Sequence, residues 1–120
     1  MEAVAVLNTE EQAYTNVVKP IFQVMSQKPK LPISFIEYGD LKLEFFKPYK
    51  MTVQVEGKYL VHENMKMNMI IHGESLDELV ETFFDCFCFL WRDYALADDS
   101  ELSKGAIEMK QYLLSLAKEV

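Results

Sequence analysis

Cationic side chains are scarce in this 120-residue chain: 12 Lys and Arg stand against 19 Asp and Glu, for a formal charge of −7. The cations are also scattered, and gripping a phosphate backbone needs them clustered, so direct nucleic-acid binding is not expected. Histidine (two) and glycine (four) are equally sparse. The chain has no P-loop, no Gly-rich dinucleotide turn and no nucleophile elbow. With that inventory the sequence reads as a non-enzyme, and nothing in it calls for a cofactor. Only two cysteines occur, Cys86 and Cys88. Two positions apart on a helix they point to different faces, so they form no disulfide framework, and reduced thiols fit a cytoplasmic address. Met1–Leu7 has no basic n-region, and no apolar run is long enough to span a bilayer.

What is present is enough for one domain, residues 1–120. Area scaling gives about 6,700 Å² of folded surface against about 20,000 Å² unfolded, so roughly two-thirds of the chain's surface is buried without metal or disulfide staples. Hydrophobic residues make up 50% and charged residues 26%, which argues against disorder. The acidity fits a basic partner, and equally a merely soluble surface.

Thr9 and Gln12 have capping-box spacing, and Ala13, Tyr14, Val17, Val18, Ile21, Phe22 and Met25 share one helical face, interrupted at Pro20. A β region follows. Ile33–Tyr38 and Leu41–Lys47 flank Gly39-Asp40, a two-residue hairpin signal. After Pro48, Met51–Val55 and Lys58–Val61 flank Glu56-Gly57, which predicts Val53 opposite Leu60. Met65, Met67, Met69 and Ile71 alternate with Lys66, Asn68 and His72, with Ile70 breaking the polar side, and predict a fifth strand.

Ser75 and Glu78 then form a capping box ahead of a full apolar stripe: Leu76, Leu79, Val80, Phe83, Phe84, Phe87, Leu90, Trp91 and Tyr94. Asp98-Asp99-Ser100 reads as a turn and cap. A last helix, Glu101–Glu119, carries Leu102, Ala106, Met109, Leu113, Leu116 and Val120 on one face. The expected fold is α+β: one antiparallel sheet of about five strands, two hairpins plus one, packed by two or three helices. The Leu76–Ala95 helix is expected at its centre.

Three candidate chemistries can be weighed. Three thioethers at Met65, Met67 and Met69, flanked by His62 and His72, resemble a soft-metal set, but an inward-facing strand has the same pattern, and we expect core and no metal site. Cys86-Phe87-Cys88 has too few ligands for zinc, and its acidic neighbours Glu81, Asp85 and Asp93 oppose a reactive thiolate; Cys86, beside the stripe, is expected to be buried. The acid pairs Glu10/Glu11, Asp77/Glu78 and Asp98/Asp99 each sit at a helix start, where caps and dipole account for them. The aromatics are more suggestive. Phe89 lies off the stripe, and Tyr14, Tyr59 and Tyr112 are candidates for partial exposure; Tyr59, Phe89 and Tyr112 are the candidate partner-binding residues.

Gly57-Lys58-Tyr59-Leu60-Val61 and Gly73-Glu74-Ser75-Leu76-Asp77-Glu78-Leu79, at their observed separation, resemble the HicB-type antitoxin domain over Gly57–Trp91. That family starts a strand on Gly-aromatic and opens its main helix on a Gly-acid-Ser/Thr sequence. The chain departs from it at Asn64 and Asn68-Met69, where the family has a Pro and then a Gly-Cys pair, and in lacking an appended DNA-binding segment. Trp91–Leu102 is similar to a stretch in small uncharacterised bacterial proteins. In that family the domain covers a small basic toxin; the resemblance implies a HicB-like topology, related to part of a double-stranded-RNA-binding fold, and a non-catalytic protein-binding or regulatory module. The alternative is a small-molecule-binding protein or small enzyme, its site between sheet and helices near His62, His72 and Tyr59. Off-face Ile107, Tyr112 and Leu114 on the last helix, together with open sheet edges, further predict a homodimer.

Overall fold

A computed structural model describes residues 29–120. The helix expected from Thr9 to Met25, with its interruption at Pro20, lies outside the described residues.

The first hairpin forms where Gly39-Asp40 places it. Strands β1 (Lys30–Tyr38) and β2 (Leu41–Thr52) pair antiparallel from Tyr38–Leu41 to Lys30–Thr52. Gly39 takes φ 63°, a turn conformation open to glycine at little cost. Pro48 does not end the strand as its missing N–H suggests. The register jumps from Ile33–Tyr49 to Phe35–Glu44, so the extra β2 residues collect in a bulge. Phe46, Lys47 and Pro48 all point to solvent there, and the proline costs no ladder bond.

One residue, Val53, separates β2 from β3 (Gln54–Glu56). The second turn is Gly57-Lys58, one position later than expected, with Gly57 at φ 62°. Strand β4 (Tyr59–Asn64) therefore pairs Leu60 with Val55 and not with Val53. The slip is two residues, so each side chain keeps its face. The methionine run is also corrected. Met65–Met67 is a 3-10 turn capped by the Asn64 side chain, Asn68 follows at φ 53°, and β5 covers only Met69–Gly73. Asn64 offers the backbone a local alternative to the ladder, and a turn results.

Helix α1 (Leu76–Leu90) starts on the capping box, with Ser75 Oγ accepting from the Glu78 N–H at 3.1 Å. The reciprocal bond reaches one residue further back, from the Glu74 N–H to Glu78 Oε1 at 2.7 Å. The helix continues as a π-helical turn, Trp91–Ala95, which keeps Trp91 and Ala95 buried. Leu76, Leu79, Val80, Phe83, Phe84, Phe87 and Cys88 are all buried against the strands.

The last helix, α2 (Lys104–Leu116), is shorter than expected. Asp98 caps a 3-10 turn at Asp99–Glu101, and Ser103 caps the helix. Its end was expected at Glu119. Instead Ala117–Glu119 leaves the helix as β6 and pairs with β2 at Leu43–Phe45.

The architecture is α+β, with the Leu76–Ala95 segment packed at the centre. The single five-stranded sheet is replaced by two three-stranded antiparallel sheets, ordered β1-β2-β6 and β3-β4-β5. β6, invisible in the sequence, completes the first. Both sheets turn an apolar face to α1, where Phe87 meets Phe45 at 5.2 Å and Phe83 stacks on Tyr49 at 4.9 Å.

Candidate functional site

Strand alternation sends Leu60, His62 and Asn64 to the inner face of β4, and Tyr59, Val61 and Glu63 to the outer face. His62 is the buried polar side chain of the described core, with 2% of its surface exposed. Such a group must find its hydrogen bonds inside the protein, and two residues of β2, Tyr49 and Thr52, supply them. His62 Nδ1 lies 2.8 Å from the carbonyl oxygen of Thr52 on β2. A carbonyl only accepts, so Nδ1 carries the hydrogen and Nε2 is left with a lone pair. Nε2 lies 2.8 Å from the Tyr49 hydroxyl, which donates to it.

The chain continues outward from Tyr49. Asn64 Nδ2 donates to the Tyr49 hydroxyl at 2.9 Å and to the Tyr112 hydroxyl on α2 at 3.1 Å. Its Oδ1 accepts from the backbone N–H groups of Lys66 and Met67, at 3.0 and 3.3 Å. The Lys66 ammonium sits over the Tyr112 ring. In this arrangement both amide hydrogens of Asn64, both nitrogens of a neutral His62 and the Tyr49 hydroxyl all have partners. Desolvation holds His62 below its ordinary value of 6.5 against the opposing Thr52 carbonyl and Glu63. Burial pushes Tyr49 up to about 12. Both groups are neutral near pH 7.

The expected partner-binding residues lie apart. Tyr59 opens β4 and is half-buried on its outer face, where its ring meets His72 at 4.9 Å. Tyr112 meets the opposite end of that strand at Asn64. Phe89 was expected to lie off the stripe that faces the sheet. It is 60% exposed on α1, about 20 Å along the helix from its start at Ser75. The small-molecule set also separates: His62 points inward, whereas His72 and Tyr59 face out.

Met67 and Met69 are core, while Met65 is exposed, so the three thioethers do not line one face. Among the described residues no His, Cys, Asp and Glu side chains gather in a metal-binding group. Cys88, rather than Cys86, is the fully buried thiol; desolvation pushes it up to about 11 and also raises half-buried Cys86. Neither has the low-pKa surroundings of a reactive thiol.

The solvent face of α1 has a clear chemical character. Asp77, Glu78, Glu81 and Asp85 are all exposed on it, and no Lys or Arg occurs from Gly73 to Trp91. Phe89 lies one turn beyond Asp85. Tyr38 of β1 donates its hydroxyl to Asp85, whose charge raises the Tyr38 pKa. Sequence reading explained Asp77 and Glu78 as cap residues but missed the continuity of the acidic face. It likewise missed Tyr49, Thr52 and Asn64. The available signal was His62 itself, a polar residue at an inward position of the strand.

Among the described residues no helix is long and apolar enough to cross a membrane. Compared with known proteins, the chain matches no family model, no curated protein and no solved structure.

Proposed function

We propose that this chain is a non-catalytic protein-binding module, related to the HicB-type antitoxin domain over Gly57–Trp91, whose partner is a small basic protein. The observation behind the reading is the outer face of α1. An uninterrupted acidic surface leads to Phe89, an exposed aromatic of the kind that anchors interfaces while surrounding charges steer encounter. Tyr59 and Tyr112 lie outside that face, and Phe89 becomes the principal contact.

Co-expression with small basic toxin-type proteins, followed by size-exclusion chromatography, tests the reading. Phe89→Ala is expected to weaken the complex by about thirtyfold, the loss of a hot-spot contact. D77K/E81K/D85K is expected to slow association and to reduce its salt dependence. Failure to bind or neutralise any such protein would sink the proposal.

Self-association is the secondary part of the reading. Of the off-face residues that suggested a dimer, Tyr112 is bonded to Asn64 and Ile107 is half-buried, while Leu114 remains 43% exposed. A homodimer through α2 would bury Leu114. Light scattering at micromolar concentration that returns only the 14.0 kDa species removes it.

A further inference from the structure

We propose that the chain of bonds His62–Tyr49–Asn64–Tyr112 is an acid-sensitive latch: a proton arriving on His62 Nε2 reverses one hydrogen bond and releases α2 and β6 from the sheet. The inference is independent of the partner reading and rests on the direction of each bond.

With the Thr52 carbonyl fixing the hydrogen on Nδ1, Nε2 is the only acceptor for the Tyr49 O–H among the bonds these groups make. Protonation turns Nε2 into a donor. Tyr49 then faces two donors, His62 Nε2–H and Asn64 Nδ2–H, and its own hydrogen loses its acceptor. An orphaned donor and a charge beside Phe83, in a site this dry, are both costly. Asn64 has no spare group with which to help, because its oxygen holds the turn at Lys66 and Met67. Relief requires Tyr49 and Asn64 to move, which gives up the bond to Tyr112.

Among the described residues, the charge environment contains little that would keep the proton off by other means or hold it on. The titratable groups nearest His62 are Tyr49 from β2, Glu63 beside it on β4 and, through Asn64, Tyr112 with the Lys66 ammonium over its ring. α1 presents Phe83, and β5 presents Ile71 opposite His62. Neither titrates. Glu63 is exposed on the other face, so its favourable effect on the cation is screened.

The weak point lies at α2. Leu113 is the one fully buried residue of that helix, with Met109, Tyr112 and Leu116 only partly buried against the core, so the Tyr112 bond is the side-chain hydrogen bond that ties its last turn to β4. Burial keeps His62 below its ordinary 6.5 in the folded chain, so the unfolded or released state takes up the proton first. The attachment is therefore fully present above about pH 6.5. It is lost as pH falls from there through the lower, folded value.

Amide hydrogen exchange on the full chain at pH 7.5 and 5.0, corrected for intrinsic exchange, reads the latch directly. The amides of Leu113–Leu116 and β6 should open about tenfold more often at pH 5.0, while those of α1 and β4 stay unchanged. Tyr112→Phe should raise opening of α2 at pH 7.5 and abolish its pH response; Asp99→Asn and Glu119→Gln should leave that response intact. Nitrogen shifts of His62 should report the Nδ1–H tautomer at pH 7.5. The Nε2–H tautomer, an α2 response that survives Tyr112→Phe, or acceleration spread equally over α1 would each overturn the proposal.

Discussion

Helices α1 and α2 are of similar length but are held by different physics. α1 buries seven side chains, four of them aromatic or sulfur-bearing, against both sheets. α2 buries only Leu113. Met109, Tyr112 and Leu116 are only partly buried against the core, and polar links add to them: Asn64 to Tyr112, Lys110 to the Ala97 carbonyl, and the β6 strand that follows, where Glu119 accepts from the Trp91 indole at 3.0 Å. Apolar burial is non-directional and tolerates small shifts, whereas each polar link depends on one geometry. The first helix should therefore unfold only with the whole domain, and the second should open locally.

The sharpest test of that contrast is Phe83→Ala. Phe83 is fully buried and touches Tyr49, His62, Phe84 and Phe87. Truncation should cost about 3–5 kcal/mol in urea unfolding, with exchange accelerated across both sheets. The same truncation at Tyr112 should cost far less and act mainly on α2. Equal effects at the two positions would erase the distinction.

The contrast also decides what could be read from sequence. α1 was legible because its stripe and capping box agree, and burial enforces both. The first hairpin was legible because its turn takes a positive φ, 63° at Gly39, that glycine adopts freely and most residues do not. The final strand was not: Ala117-Lys118-Glu119 has the composition of a helix end, and only the open edge of β2 at Leu43–Phe45 draws it out. At the sheet's division the Val53 N–H bonds the distant Pro29 carbonyl, whereas the turn after Asn64 is a local cap that the alternating methionines masked. At the candidate site, His62 could be flagged as polar at an inward position, but its partners come from β2, the end of β4 and α2, which no local pattern links. Phe89's exposure was legible, because the residue falls outside the stripe that α1 turns to the sheets.

Gly73→Ala should produce an intermediate effect. A Cβ at Gly73 would stand 2.6 Å from the Leu79 backbone nitrogen, where α1 rests on the end of β5. Backbone cannot yield as a flexible side chain does, so the strand and helix must separate, at a cost of about 1–3 kcal/mol. The Gly73-Glu74-Ser75 sequence thus has a packing reason at its first position, and the loss should fall on the α1 side of the comparison. Thermal unfolding that matches the parent chain would show that the contact relaxes freely.

The smallest effect is expected from Lys110→Met, on the α2 side. The Lys110 ammonium donates to the Ala97 carbonyl at 2.6 Å and to Asp99 at 2.8 Å, fastening α2 to the connection that follows α1. Its side chain is 18% exposed while that of Asp99 is 68% exposed, so water screens much of the ion pair. The bond to the carbonyl is the better-sheltered part, and methionine keeps the aliphatic packing while removing the donor. A loss of about 1 kcal/mol follows from those two bonds together. If the carbonyl bond dominates, Asp99→Asn should cost only a fraction of that and show little salt dependence. If Asp99→Asn costs as much as Lys110→Met, and 1 M salt removes the difference, then a screened charge pair rather than a sheltered donor fastens the second helix.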